Sequence, residues 1–356
     1  MAKRPVWERP KEIPFDKLHY ELRPGLVSKL TWAHGNAGRV AGMRFSDFGL
    51  KRLQADAGKR RITYMVTRAG YSVVTFDDVV HVVAGSILPP AKHGVMDLIR
   101  RGAVLCEAAR QFGQRGDASA AETATTYLDF ADHGSTTWAR FVGQNREKLL
   151  EAHRGSVEVP QPVRQLYEWI DEDEMISHEP ILRAAVLHWG LSIPYPEHTQ
   201  RMALDAVIDH ELRAGGIDPH GLLVLPDIEP GVQALRLDRS LVAPADLEGD
   251  LTSLFEHFAM ELARSLGELH RKLESFQDRE ARLPWLVVRP PDELDRQIFE
   301  IIERVGAARS SQISGGLHDP PPLRTLQRRL QRLCRDGLLA KHGGRRDAFY
   351  RIADRA

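Results

Sequence analysis

Apolar residues recur at helical spacing through most of the chain, and the polar positions between them mark off a succession of amphipathic segments. Val95 to Phe112 carries Met96, Ile99, Val104, Leu105 and Ala108 among polar residues, which predicts one helix. Val163 to Ile170 and Pro180 to Leu191 predict two more, the second opening with a proline that the first helical turn tolerates. Arg201 to Ala214 turns Met202, Leu204, Ala206, Val207, Ile208 and Leu212 to one side and stops at Gly215-Gly216. From about Asp250 to Gln277 the stripe Leu251, Phe255, Phe258, Leu262, Leu266, Leu269 and Leu273 predicts a long helix. Breakers separate these segments. Gly155 to Pro162 reads as extended, because a residue before proline is pushed out of the helical region. Ser192 to Thr199, with two prolines, reads as a loop, and Arg279 to Pro291, with three, as a linker.

The first 85 residues follow a different rhythm. Arg44 to Gln54 fits a short helix. Ile62, Tyr64 and Val66 then alternate before Ala69-Gly70, with Tyr71, Val73 and Thr75 beyond, which predicts a hairpin. The expectation is a small α+β region with no assignable chemistry.

Residues 288–356 carry the most informative pattern. Leu294, Ile298, Ile301 and Ile302 predict a first helix, and Ala307 to Leu317 a second. Leu323, Leu326, Leu330 and Leu333 give a third helix its apolar face. Arg324, Arg328, Gln331 and Arg335 share another face, flanked by Arg329 and Arg332, and Gly337 offers a C-cap. Leu338 to His342 and Ala348 to Ile352 predict two strands around Gly343-Gly344-Arg345-Arg346. Helix, turn, basic helix and basic hairpin together outline a winged helix-turn-helix, whose third helix suits a DNA major groove. On that reading Arg324, Thr325 and Arg328 reach base edges. Gln327, Gln331 and Arg332 share the interface, and Lys341, Arg345 and Arg346 contact phosphates.

Charge placement supports this. The chain holds 49 Lys/Arg and 49 Asp/Glu. From Pro322 to Ala356 there are ten Lys/Arg against three Asp/Glu, so the rest of the chain carries the compensating negative surplus. A neutral protein with its positive charge gathered in one terminal module has an electrostatic footprint. The 356 residues suffice for two or three domains, and 42% apolar with 28% charged residues is ordinary globular composition. Cys106 and Cys334 lack metal or redox spacing and read as reduced. The N-terminus has no signal-peptide core, and no run approaches the ~20 apolar residues of a membrane span. The expectation is a cytoplasmic protein with no membrane partner. There is no Walker-type loop, dinucleotide glycine fingerprint or nucleophile elbow. His210-Glu211 lacks the second histidine of a zinc-protease motif. No cofactor or metal is expected.

Between about residues 90 and 275 the order of elements resembles the Fic family of AMP-transferring and related enzymes. Glu158-Val159-Pro160-Gln161-Pro162 stands where that family has its target-binding flap. Ile181 to Trp189 is similar to the helix before the active loop, Leu204 to Leu225 to the helix and return after it, and Phe255 to Leu273 to the closing helix. The family's loop reads His-Pro-Phe-x-Asp/Glu-Gly-Asn-Gly-x-x-Arg. In it the His is the base, the acidic residue holds magnesium, and the glycines cradle phosphates. Here the chain reads Ile193-Pro194-Tyr195-Pro196-Glu197-His198-Thr199-Gln200-Arg201-Met202-Ala203. Pro194, Tyr195 and Glu197 match. Ile193 replaces the base, His198-Thr199-Gln200 replaces Gly-Asn-Gly, and Ala203 stands at the arginine position, with Arg201 two residues early. Loss of a positioned base costs ~10²–10⁴ in rate, and side chains in a phosphate cradle obstruct the ligand. His198 as a displaced base lies five residues too late. The regulated family's inhibitory Ser/Thr-x-x-x-Glu-Gly/Asn helix is not evident.

The sequence therefore predicts a mainly α protein: residues 1–85 of unassigned role, a Fic-like helical domain over 86–278, and a winged helix over 288–356. The expected function is DNA-binding transcription regulation. No residue is catalytic, and Ile193, Pro194, Tyr195, Glu197 and Arg201 mark a vestigial, degenerate site. The helical domain would serve dimerisation, sensing of a small-molecule effector, or a protein partner, and a homodimer is expected on double-stranded DNA. One alternative is a divergent nucleotidyltransferase that moves AMP to a protein hydroxyl, with Glu197 on the metal and His198 as base. Another is a non-enzymatic, antitoxin-like interaction protein.

Overall fold

The computed structural model describes residues 12–45, 47–69, 74–83, 87–112, 120–143, 158–224, 239–281, 293–336, 338–344 and 348–353. A helical body comes first: α1 (Pro24–Ala41), α2 (Asp47–Arg68), α3 (Phe76–Val83), α4 (His93–Phe112), α5 (Ala120–Gly143), α6 (Gln161–Glu172), α7 (Glu174–His178), α8 (Pro180–Leu191), α9 (His198–Ala214), α10 (Arg239–Glu248) and α11 (Thr252–Ala281). A smaller group follows: α12 (Glu293–Val305), β1 (Ala308–Arg309), α13 (Ser310–Gly316), α14 (Leu323–Arg335), β2 (Leu339–His342) and β3 (Phe349–Ile352). No described helix is long and apolar enough to cross a membrane.

Helix α9 organises the body because α2, α4, α5 and α8 all pack on it. Every residue from Met202 to Asp209 is buried, so the stripe read from the sequence is really a helix enclosed on all sides. Gly215 closes α9, and Gly216 takes φ +74°, a left-handed angle that glycine adopts without steric cost. Alongside, α8 presses against α6 at Gly190, where a Cβ would meet Leu166 Cδ2 at 2.8 Å. Long α11 lies along α1. Leu26, Leu30, Ala33, Ala37 and Val40 form the apolar stripe of α1, and the Asn36 amide donates to the Ala263 carbonyl at 2.8 Å.

Several expectations change. The hairpin around Ala69-Gly70 is absent as far as the described residues reach, because Ile62, Tyr64 and Val66 lie within the 22-residue α2. Ile62, Met65, Val66 and Ala69 are buried, a helical set, while Tyr64 sits to the side, so the alternation was one helical face crossed by a second. Tyr71 and Val73 lie outside the described residues. The small α+β region is thus helical where described, apart from an isolated bridge between His19 and Asp250. Glu158 to Pro160 is non-helical, as expected, but Gln161 and Pro162 already belong to α6, with Pro160 as its extended N-cap. Gly155 to Val157 lie outside the described residues. Helix α9 starts three residues before Arg201, at His198, and α11 extends through Ala281 into the expected linker.

In the C-terminal group, Ala308–Arg309 form a strand instead of helix, giving an antiparallel sheet of order β1-β3-β2. Leu339 pairs with Ile352, His342 with Phe349, and Ala308 with Tyr350. Two residues are too few to show any pattern in sequence. Ile298, Ile302, Ile313, Leu326, Leu330, Leu333, Leu339 and Tyr350 form a core of their own. A small third cluster of Val80, Ala307 and Phe349 bridges the group to α3.

Candidate functional site

Helix α14 stands on its leucines. Leu326, Leu330 and Leu333 are buried, but Leu323, assigned to the same face from spacing, is 53% exposed because the first turn projects beyond the core. On the outer side Arg324, Thr325, Gln327, Arg328, Gln331, Arg332 and Arg335 are all exposed, as is Lys341 on β2. Arg345, Arg346 and the Gly337 cap lie outside the described residues, and Asp336 is the residue that caps α14.

The flanking arginines are used internally. Arg329 donates to both oxygens of buried Asp295 on α12, Nε to Oδ1 at 2.5 Å and Nη2 to Oδ2 at 2.7 Å, a two-pronged clamp between helices. Arg332 is shared between Asp295 at 3.5 Å and Asp336 at 4.0 Å. Among the described residues neither Arg324 nor Arg328 has a carboxylate partner. Asp295 escaped the sequence reading because an acidic residue in a first helical turn is commonplace; its burial is purely tertiary.

The Ile193 to Arg201 segment forms the junction of α8 and α9. Ile193 is buried, with its N–H donated to the Gly190 carbonyl at 3.2 Å, and Tyr195 N–H reaches the Leu191 carbonyl at 3.1 Å. Pro194 and Tyr195 are half-buried. Burial and nearby Asp132 on α5 raise the Tyr195 phenol above its ordinary range. Glu197, not Thr199, is the N-cap of α9; its side chain makes no capping bond and is exposed. The first residues of α9 are His198, Thr199 and Gln200. Ala203, at the arginine position, is fully buried. The side chain of His198 lies outside what is described.

Beneath this junction α9 carries three buried carboxylates, each met by an arginine of another helix. Arg68 of α2 reaches Asp205 at 2.5 Å, Arg61 of α2 reaches Asp209 at 3.4 Å, and Arg183 of α8 reaches Glu211 at 2.8 Å. Arg213 adds a second bond to Asp209 at 2.8 Å. Arg61 also donates to the Gly221 carbonyl at 2.8 Å and to that of Leu223, while Asp218 accepts the Leu222 and Leu223 N–H groups at 2.9 Å. These bonds fix the return segment after α9. Burial pushes the Asp205 carboxyl up to about 6, against the lowering pull of Arg68 and Arg201. His188 Nε2 lies 3.4 Å from Arg68 Nη2 and the ring packs near Phe258, which places His188 within the core. Cys106 and Cys334 are both free, and burial pushes the Cys106 thiol up to about 12, far from a reactive thiolate.

No family model matches the chain, and no curated protein does. The chain is similar to a Fic family protein from Desulfovibrio desulfuricans G20, whose crystal structure at 2.70 Å aligns at 15% identity with a TM-score of 0.45, over 95% of this chain and 99% of that one. So distant a likeness leaves the function to be argued from the geometry of this chain's own residues.

Proposed function

We propose that this chain is a DNA-binding transcriptional regulator whose C-terminal group is a winged helix-turn-helix and whose helical body is a Fic-like domain that has lost its reaction. The observation that carries the reading is the division of labour among the arginines of α14. Arg329 anchors the helix to Asp295, while Arg324 and Arg328 stay exposed at its N-terminal half, above a leucine underside. A helix held this way offers guanidinium groups for bidentate readout of guanine, with Lys341 beside it for phosphate. The helical body contributes no complete catalytic set on this reading. Buried Ile193 cannot take a proton, and buried Ala203 cannot bind phosphate. Two copies acting together would lengthen the sequence read.

The test uses the full chain and a fluorescent mixed-sequence DNA duplex, with anisotropy measured at several salt concentrations. Binding should weaken steeply with salt, Lys341→Ala should reduce the log–log slope by about 1, and Arg324→Ala with Arg328→Ala should abolish the preference among sequences selected from a randomised duplex pool. Selection of the same sequences with the same affinity by wild type and double variant would overturn the assignment of α14. Incubation with labelled ATP and magnesium should transfer no label to protein. Transfer that depends on Glu197 would instead establish an enzyme.

A further inference from the structure

We propose that Asp295 is a positioning residue that keeps DNA binding by α14 selective, because it withdraws two arginines of that helix from the charge a duplex meets. This rests on the DNA-binding function proposed above and names the residue that restrains its sequence-independent part.

Helix α14 carries Arg324, Arg328, Arg329, Arg332 and Arg335. So many guanidinium groups on one helix attract any duplex through its phosphates, and that attraction carries no sequence information. Asp295 changes the balance. It stands in the first turn of α12 and is buried, and its carboxylate meets α14 at two successive turns. Arg329 binds it through both Nε and Nη2, and Arg332 Nη2 approaches the same Oδ2 at 3.5 Å. Asp336, beyond the last turn, lies 4.0 Å from Arg332 Nε.

Two classes of arginine result. Arg324 and Arg328, at i and i+4, are exposed on the N-terminal half of the helix, whereas Arg329, half-buried, and Arg332 are drawn toward α12. A two-pronged arginine–carboxylate bond is directional, so it fixes the rotation of α14 about its own axis as well as cancelling charge. With a neutral side chain at 295, the Arg329 guanidinium loses its counter-charge and moves toward solvent, where its long side chain reaches phosphate. Loss of this carboxylate therefore strengthens attraction to every duplex while blurring the fit to one.

The experiment compares the full chain as wild type, Asp295→Asn and Asp336→Asn. Each variant removes one negative charge beside Arg332, but only the first releases Arg329. Anisotropy at several salt concentrations gives the affinity for a duplex selected by the wild type from a randomised pool, and for a scrambled duplex of the same composition. Asp295→Asn should bind the scrambled duplex more tightly, with a log–log salt slope steeper by about 1, and the ratio of the two affinities should fall about tenfold. Asp336→Asn, which breaks only an exposed pair, should leave slope and ratio near those of the wild type. A purely structural Asp295 predicts the opposite sign, weaker binding to both duplexes without a steeper slope, and that result would overturn the proposal. An equal response in Asp336→Asn would overturn it too, since net charge alone would then suffice. A wild type with no salt-dependent binding would remove the DNA-binding function itself, and this inference with it. If Asp295→Asn does not fold, phenylglyoxal labelling of the wild type decides. Arg329 should stay unmodified with and without DNA, while Arg324 and Arg328 react and are protected by DNA. Labelling of Arg329 as fast as Arg324 would overturn the clamp.

Discussion

Arg329 and Arg324 are five residues apart on one helix and have opposite fates. Arg329 is spent on Asp295, whose carboxylate is buried, so removing either partner strands a charge or a polar group out of water. Arg329→Ala should cost on the order of 3 kcal/mol in urea unfolding. Arg324→Ala with Arg328→Ala should stay within about 0.5 kcal/mol, as at exposed positions without partners. Equal losses would mean that Arg324 and Arg328 are structural. Asp205 provides a second test. Its carboxyl is raised from the ordinary 3.8 to about 6 in the folded chain. Between those values the folded state keeps a proton that the unfolded chain has released. Its stabilising effect therefore falls as pH rises from about 4 to about 6 and is level above. Unfolding free energies of wild type and Asp205→Asn, compared across that window, should show the wild type losing ground as pH rises. A gain would show that Arg68 holds the carboxylate ionised. The fate of Arg329 was not readable from residue type, since its partner Asp295 is distant in the chain.

Among the elements, those with a strong periodic stripe were legible. The boundaries of α14 agree with the apolar pattern to within a residue or two, because one buried face against one solvent face leaves an unambiguous 3.6-residue signal. Leu330→Ala in α14 removes a fully buried anchor and should cost ~2–5 kcal/mol, read as a lowered unfolding midpoint. Crowded helix crossings are set by volume and not by hydropathy. Gly190→Ala should cost ~1–3 kcal/mol because the new methyl would collide with Leu166, whereas Leu166→Ala in the same chain should relieve part of that loss. No recovery would place the strain elsewhere. Helix α2 was misread because its two faces are both partly buried, and a short window of such a helix can pass for a strand.

At the scale of the molecule the two cores meet through Val80, Ala307 and Phe349, with the Phe349 ring 4.8 Å from His81 and stacked on His342 at 5.5 Å. Phe349→Ala should lower the unfolding temperature of the C-terminal group and separate it from that of the body in calorimetry, since the lost ring contributes ~3–5 kcal/mol. A single unchanged transition would mean that the bridge carries no coupling. By itself the sequence determined the mainly helical class and the basic terminal helix with its leucine underside. Those depend on residue type and short-range spacing. The tertiary structure decided which arginines are consumed, that α9 is enclosed on all sides, and that Ala308–Arg309 completes a sheet. Each of those depends on groups brought together by packing, and no local pattern in the chain encodes which distant carboxylate or backbone a side chain will meet.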